Sequence, residues 1–211
     1  MSPTFDATFR ARFRDLVLLR RDVRRFRKDP IARERIDALL ELASHAPSVG
    51  LSQPWRFVYV DSPDRRQAVV KSFMDANERA LAGYSGEKHT IYATLKLEGL
   101  REAPVHLAVF SDDATRTGSG LGQQTMRETA HYSIVAAVQT LWLGARADGI
   151  GMGWVSILDP KVVKRALDVP ATWNLVAYLC LGFPVEEHLD PELERHGWEV
   201  RTDMKDLVFS R

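Results

Sequence analysis

Gly149-Ile-Gly-Met-Gly-Trp-Val-Ser-Ile-Leu-Asp-Pro160 is the stretch on which the fold turns. Glycine at every second position invites a dinucleotide-binding reading, and the order of elements denies it. The preceding residues, about Met126 to Ala147, set Ile134, Val135, Val138, Leu141, Trp142 and Ala145 on one side of the longest helix. A strand then lies within Met152–Ile157. A dinucleotide fingerprint runs from strand into helix; here a helix runs into a strand. The glycines therefore read as a turn and as sites of close packing. Asp159-Pro160 opens the next helix, and the nearly wholly apolar run Leu175–Leu181 reads as a central strand.

Working toward the amino terminus, Phe5, Phe9, Phe13, Leu16 and Val17 recur at helical spacing and predict an amphipathic helix ending near Leu19. A second helix is expected after Asp29-Pro30, with Asp29 as N-cap, Pro30 in the first turn and a stripe of Ile36, Leu39, Leu40 and Ala43, stopping at Ala46-Pro47. Trp55–Val60 alternates as a strand does, and Asp61-Ser-Pro-Asp64 begins a helix reaching about Ala82. Tyr84–Lys88 reads as loop, Ile91, Leu95 and Leu97 as a short helical excursion, and Val105–Phe110 as a strand. Residues 111–124 form a long polar loop rich in glycine, including Gly118-Ser-Gly-Leu-Gly122; loops of that length are often lids or binding segments. The tail, 184–211, is polar apart from Val200 and Leu207–Phe209, and is either loose or wrapped over a partner subunit. With no repeat and no linker, residues 1–211 form one α+β domain of the layered α/β type.

Composition narrows the function classes. The 211 residues carry 29 basic and 28 acidic side chains, a net charge of +1, so there is no excess to attract nucleic acid and no acidic tail. An apolar content of 45% is that of a folded globular protein. The single cysteine, Cys180, makes no intrachain disulfide and fits a reducing compartment. The first residues lack the apolar run of a secretory signal, and no stretch is long enough to span a bilayer. The expectation is a soluble cytoplasmic protein. Six scattered histidines offer no ligand-like pair, so no metal site is expected. There is no P-loop lysine, HExxH or GxSxG motif.

Three segments have the chemistry to hold a phosphorylated, planar molecule. Arg20-Arg-Asp-Val-Arg24, with Arg25, gathers guanidinium forks suited to phosphate; alone it is first a solvated basic turn at a helix end. Ala46-Pro-Ser-Val-Gly-Leu-Ser-Gln-Pro-Trp55 offers Ser48, Ser52 and Gln53 as hydrogen-bonding groups, with Gly50 for close backbone approach; alone it is first a rigid connector. Gly151–Pro160 delivers the Ser156 hydroxyl near a strand's carboxyl end, where ligands commonly meet α/β sheets; alone it is an ordinary strand with a serine.

In this order the three segments resemble the nitroreductase-like flavoprotein superfamily over nearly the whole chain from Leu16. Within it they are similar to the 5,6-dimethylbenzimidazole synthase (BluB) family, as is Gln139-Thr-Leu-Trp-Leu-Gly-Ala-Arg-Ala-Asp148. Asp22 and Leu51 stand where many nitroreductases carry serine and asparagine, which points away from a nicotinamide-driven reductase. Met126-Arg-Glu-Thr129 departs from the Met-Pro-Glu form of the family.

The resemblance implies a mixed central sheet flanked by helices, in a domain-swapped type of homodimer with FMN at the subunit interface. It implies that reduced FMN is the substrate, fragmented with O2 to 5,6-dimethylbenzimidazole, the lower ligand of vitamin B12, and erythrose 4-phosphate. A separate NAD(P)H flavin reductase would supply the reduced flavin. Asp22 would be the base for the first ribityl carbon, Ser156 the polar group at the isoalloxazine edge, and the Gly50 N–H the donor that polarises oxygen. Arg20, Arg21, Val23, Arg24 and Arg201 would hold the phosphate and ribityl end, with Ser48, Ser52 and Gln53 lining the flavin. Segment 83–100 would be a lid. The competing readings are an NAD(P)H-dependent nitroreductase or flavin reductase, and a non-catalytic flavin-binding protein.

Overall fold

The computed structural model describes residues 4–211. Eleven segments matter here. In chain order they are α1 (Ala7–Leu19), α2 (Arg33–Ser44), β1 (Trp55–Tyr59), α3 (Pro63–Ala82), α4 (Gly86–Thr94) and β2 (Val105–Asp112). Then come α5 (Thr129–Ala147), β3 (Gly151–Val155), α6 (Pro160–Leu167), β4 (Trp173–Gly182) and α7 (Glu192–Arg195). The strands form one sheet in the order β1-β2-β4-β3, and every neighbouring pair is antiparallel. The four-stranded sheet is therefore antiparallel rather than mixed as the resemblance implied; among the described residues the only parallel pairing is an isolated bridge between Asp22 and Met152, outside the named strands, because the 20–25 segment pairs with the β3 edge at a single point.

The two central strands are apolar on both faces because helices cover both. Alternation along β2 and β4 sends Leu107, Val109, Leu179 and Leu181 to a core shared with α2 and α5. Ala108, Phe110, Tyr178 and Cys180 go to a second core shared with α3 and α6. Local chemistry fixes the helix ends. Asp159 accepts from the N–H groups of Lys161 (2.8 Å) and Val162 (3.3 Å) at the start of α6, and these bonds hold its carboxyl below the usual carboxylate range. Gly149, at φ +72°, lets the chain leave α5 in the left-handed conformation.

Several boundaries differ from expectation. α2 begins at Arg33, and Asp29 pairs with Arg27 (3.3 Å) instead of capping, because Ile31 is drawn into the core and keeps the entering chain extended. α5 begins at Thr129, and α4 takes in Gly86–Lys88, where the residues read as loop. The apolar stripe of α1 is largely uncovered in its own chain: Phe5, Phe9, Phe13 and Val17 are exposed, as is Leu18, and Leu16 is half-buried. Val135, expected on the buried side of α5, is 43% exposed. In the tail, Pro191–Glu194 and Trp198 are half-buried against their own chain, whereas Val185, Leu189, Val200, Met204, Leu207, Val208 and Phe209 are exposed. Among the described residues no helix is long and apolar enough to cross a membrane.

Candidate active site

The chain leaving α1 runs extended along the free edge of β3. The Val23 N–H donates to the Met152 carbonyl (3.0 Å), and Asp22 bridges Met152. This approach is possible only over glycine. A Cβ on Gly153 would stand 2.2 Å from the Val23 carbonyl oxygen, and one on Gly151 would stand 2.9 Å from Val23 Cγ2. The glycines of 149–153 thus do what the sequence suggested, turning the chain and admitting a neighbour. They also seat Asp22: its Oδ1 accepts from the Trp154 N–H (2.9 Å) and its Oδ2 from Arg24 Nε (2.8 Å). Each oxygen keeps a further lone pair, so the carboxylate is oriented yet still able to take a proton.

Beside it opens a cavity of about 200 Å³, lined by Arg20, Arg21, Asp22, Met152, Glu192 and Arg201 among others. The Arg20 guanidinium lies 4.6 Å from the Trp142 ring centroid, and Trp142 Nε1 donates to the Arg21 carbonyl (3.2 Å). Burial, and to a lesser degree repulsion from Arg201, lowers the pKa of Arg20 while Asp22 opposes the shift. Arg21 is lowered by burial, then by Arg20 and Arg201. Arg21 Nη1 donates to the carbonyls of Leu18 (2.6 Å) and Arg20 (2.7 Å) and its Nη2 to that of Leu189. Its Nε is buried with no partner. Glu186, Glu187, Asp190 and Glu192 share the lining, and Arg20, Arg21 with its orphaned donor, and Arg201 are the groups suited to an anion.

A second group of residues lies at the opposite edge of the sheet, in the loop feeding β1. Ser48 organises it, its carbonyl accepting from Leu51 N–H (3.0 Å) and its Oγ from Gln53 N–H (3.2 Å). Val49 N–H donates to Ser133 Oγ (3.1 Å) and Ser52 N–H to the Val49 carbonyl (3.0 Å). The Gly50 N–H has no partner among the described residues. Gly50 (φ +57°), Leu51 (φ +53°) and Gln53 (φ +43°) are all left-handed, a concentration of strain typical of functional loops. The loop 117–122 clamps it: a Cβ on Gly118 would stand 2.3 Å from the Gly50 carbonyl oxygen. Ser52 is buried with its hydroxyl unpartnered. Three strand spacings, about 14 Å, separate the two edges.

The sequence profile of the Nitroreductase family matches residues 17–183. The chain belongs to the nitroreductase family. A 5,6-dimethylbenzimidazole synthase of Rhodospirillum rubrum is 58% identical over 199 residues, 94% of each chain. A 5,6-dimethylbenzimidazole synthase of Rhodobacter capsulatus is 45% identical over 92% of this chain and 94% of that one. Among solved structures, iodotyrosine deiodinase bound to FMN and 3-iodo-L-tyrosine aligns with a TM-score of 0.70 at 24% identity, covering 83% of this chain and 91% of its own.

In this nitroreductase-family chain the structure brings Arg20, Arg21, Asp22, Val23, Arg24 and Arg201 to one cavity. Ser156 is exposed just past the end of β3, two residues after the amide that holds Asp22. Ser48, Gly50, Ser52 and Gln53 stay together at the far edge, away from the cavity lining. Sequence reasoning missed Glu192, which faces Arg25 (2.9 Å) and Arg24 (3.9 Å) from the tail. It also missed Trp198, whose ring meets Tyr84 edge-on at 5.2 Å. A lone tryptophan in a polar tail was the available signal for the latter; Glu192, one acid among many, gave none.

Proposed function

We propose that this nitroreductase-family chain is a 5,6-dimethylbenzimidazole synthase that consumes reduced FMN and O2. The observation that carries the reading is the doubly oriented Asp22 carboxylate beside three convergent guanidiniums. The identity of 58% to a protein of that name supports it. The residues fit the flavin: Arg20, Arg21 with its orphaned Nε, and Arg201 suit the phosphate, and the ribityl chain would then pass Asp22. Reduced FMN supplies every converted atom but oxygen: the dimethylated ring and first ribityl carbon become the benzimidazole, the other four ribityl carbons leave as erythrose 4-phosphate, and the pyrimidine portion carries off the oxygen.

The chain's own task is to hold that flavin and to move protons. Asp22 takes the proton from the first ribityl carbon, with Trp154 N–H and Arg24 keeping its carboxylate aimed. The Ser156 hydroxyl, able to donate and accept, serves the ring edge. The free Gly50 N–H serves as a preorganised donor toward oxygen. Because Gly50 and Asp22 lie at opposite edges, each site draws Asp22 from one chain and the 48–53 loop from a second copy. The exposed stripe of α1 and the apolar residues of 199–211 give a homodimer the surface it needs. Reducing equivalents come from a separate NAD(P)H flavin reductase.

The test is to mix the protein with reduced FMN in air and identify the products by chromatography and mass. Wild type should yield 5,6-dimethylbenzimidazole above a no-protein control. Asp22→Asn should bind reduced FMN and lose at least about a hundredfold in product. Reoxidised FMN alone, with direct consumption of NAD(P)H, would favour a nitroreductase.

A further inference from the structure

Arg24 joins three parts of the chain. Its side chain is 12% exposed, and its Nε donates to Asp22 Oδ2 (2.8 Å) while Nη1 donates to the Lys96 carbonyl (3.0 Å). The same Nη1 lies 3.9 Å from Glu192 Oε2. A guanidinium is a rigid planar fork, so its orientation toward one partner fixes its orientation toward the others. Lys96 belongs to segment 83–100. The far end of that segment is fastened to the tail: Tyr84 and Tyr92 approach the Trp198 ring at 5.2 and 6.1 Å. Lys88 lies 4.6 Å over the same ring and donates to the Trp198 carbonyl.

We propose that Arg24 is a positioning residue through which closure of segment 83–100 sets the orientation of Asp22. This rests on the reading of Asp22 as the base. Asp22 Oδ1 is fixed by the Trp154 amide, part of the sheet, whatever the segment does. Oδ2 is fixed only by Arg24. With the segment down, the Lys96 carbonyl holds the fork onto Asp22. With it raised, Arg24 loses that partner and turns toward Glu192, and the Asp22 carboxylate pivots about its remaining bond. The base is thereby set only under a closed segment, where water is excluded from the flavin.

The test compares wild type, Arg24→Lys, Trp198→Ala and the double variant. Lysine keeps the charge but cannot serve two partners at fixed angles. Trp198→Ala loosens the segment without altering Asp22 or Arg24. Three quantities are read: amide hydrogen exchange of 84–98 in the flavin-free protein, affinity for reduced FMN, and benzimidazole formation at saturating reduced FMN. Both single variants should speed exchange of the segment by about tenfold or more, Arg24→Lys most strongly around 95–98. Arg24→Lys should lower the saturated rate about tenfold or more with affinity within about threefold, and the double variant should fall no further than Arg24→Lys. Additive losses would overturn the proposal, as would a change in affinity alone, which would make Arg24 a plain flavin ligand. If wild type forms no benzimidazole, the base reading fails by itself. Exchange of 95–98 unchanged by Arg24→Lys would still separately refute the tie between Arg24 and the segment.

Discussion

The two edges of the sheet are built in contrasting ways. At the β3 edge, glycines at 151 and 153 let a second backbone lie against the strand, and a charged group is assembled on it from α1, the sheet and the tail. At the β1 edge, a strained loop is held from behind by another glycine-rich loop and presents an N–H that has no partner among the described residues. The first edge suits an anion and a proton acceptor; the second suits a donor at close range. Neither is sufficient for the proposed chemistry, and one chain holds them at opposite edges of the sheet. In the proposed homodimer a second copy would bring opposite edges together, and the apolar surface exposed on α1 and in 199–211 would be covered.

The largest expected effect comes from Gly153→Ala. The new Cβ would meet the Val23 carbonyl at 2.2 Å, forcing the 20–25 segment off the strand. Denaturant titration should show a loss of about 1–3 kcal/mol, and benzimidazole formation should fall with the displacement of Asp22. Gly118→Ala would press on Gly50 at the other edge; it should impair product formation yet leave the affinity for inorganic phosphate unchanged. Equal loss of phosphate affinity in both variants would break the division of labour.

A smaller effect is expected from Arg201→Ala. Removing this largely exposed cation from the cavity lining should weaken reduced FMN by about 0.5–1 kcal/mol, roughly twofold to fivefold, measured by calorimetry under anaerobic conditions. Riboflavin, without the phosphate, should bind the variant and wild type alike.

A pH-dependent effect lies between the edges. His106, buried on β2 and sharing a 2.9 Å hydrogen bond with the Tyr178 hydroxyl, has its pKa pushed down from 6.5 to about 3, mainly by burial and also by Arg66. Between those values only the unfolded state takes the proton. The stabilisation is therefore complete above about pH 6.5 and shrinks as pH falls, by at most about 1.4 kcal/mol per pH unit. Urea midpoints should follow that slope in wild type, and His106→Phe should be less stable at pH 7 but flatter with pH.

Much of this was legible in the sequence because local chemistry decided it. The helix starts at Asp61–Asp64 and Asp159-Pro160, the alternation of β1 and the apolar run of β4 act within a few residues of themselves. The Asp29 cap failed because it competed with burial of Ile31, a tertiary demand that local pattern does not register. The α1 stripe was readable as apolar, but not that its own core would leave it uncovered. In the site, the arginines and Asp22 stood out as a cluster in sequence. Glu192 stands 167 residues beyond Arg25, and its contacts with Arg24 and Arg25 depend on how the tail folds back.

The central claim is that each site takes Asp22 from one chain and the 48–53 loop from another, and complementation tests it most directly. Asp22→Asn and Gly50→Val should each be inactive alone, the latter because a side chain at Gly50 meets the Leu121 carbonyl, with a Cβ at 2.7 Å. Unfolding and refolding an equal mixture should give mixed dimers in which one of the two sites has both halves intact. Random pairing of the two chains should restore about a quarter of wild-type benzimidazole formation. No recovery, with mixed dimers demonstrated by mass, would place both halves of the site in a single chain and contradict that claim.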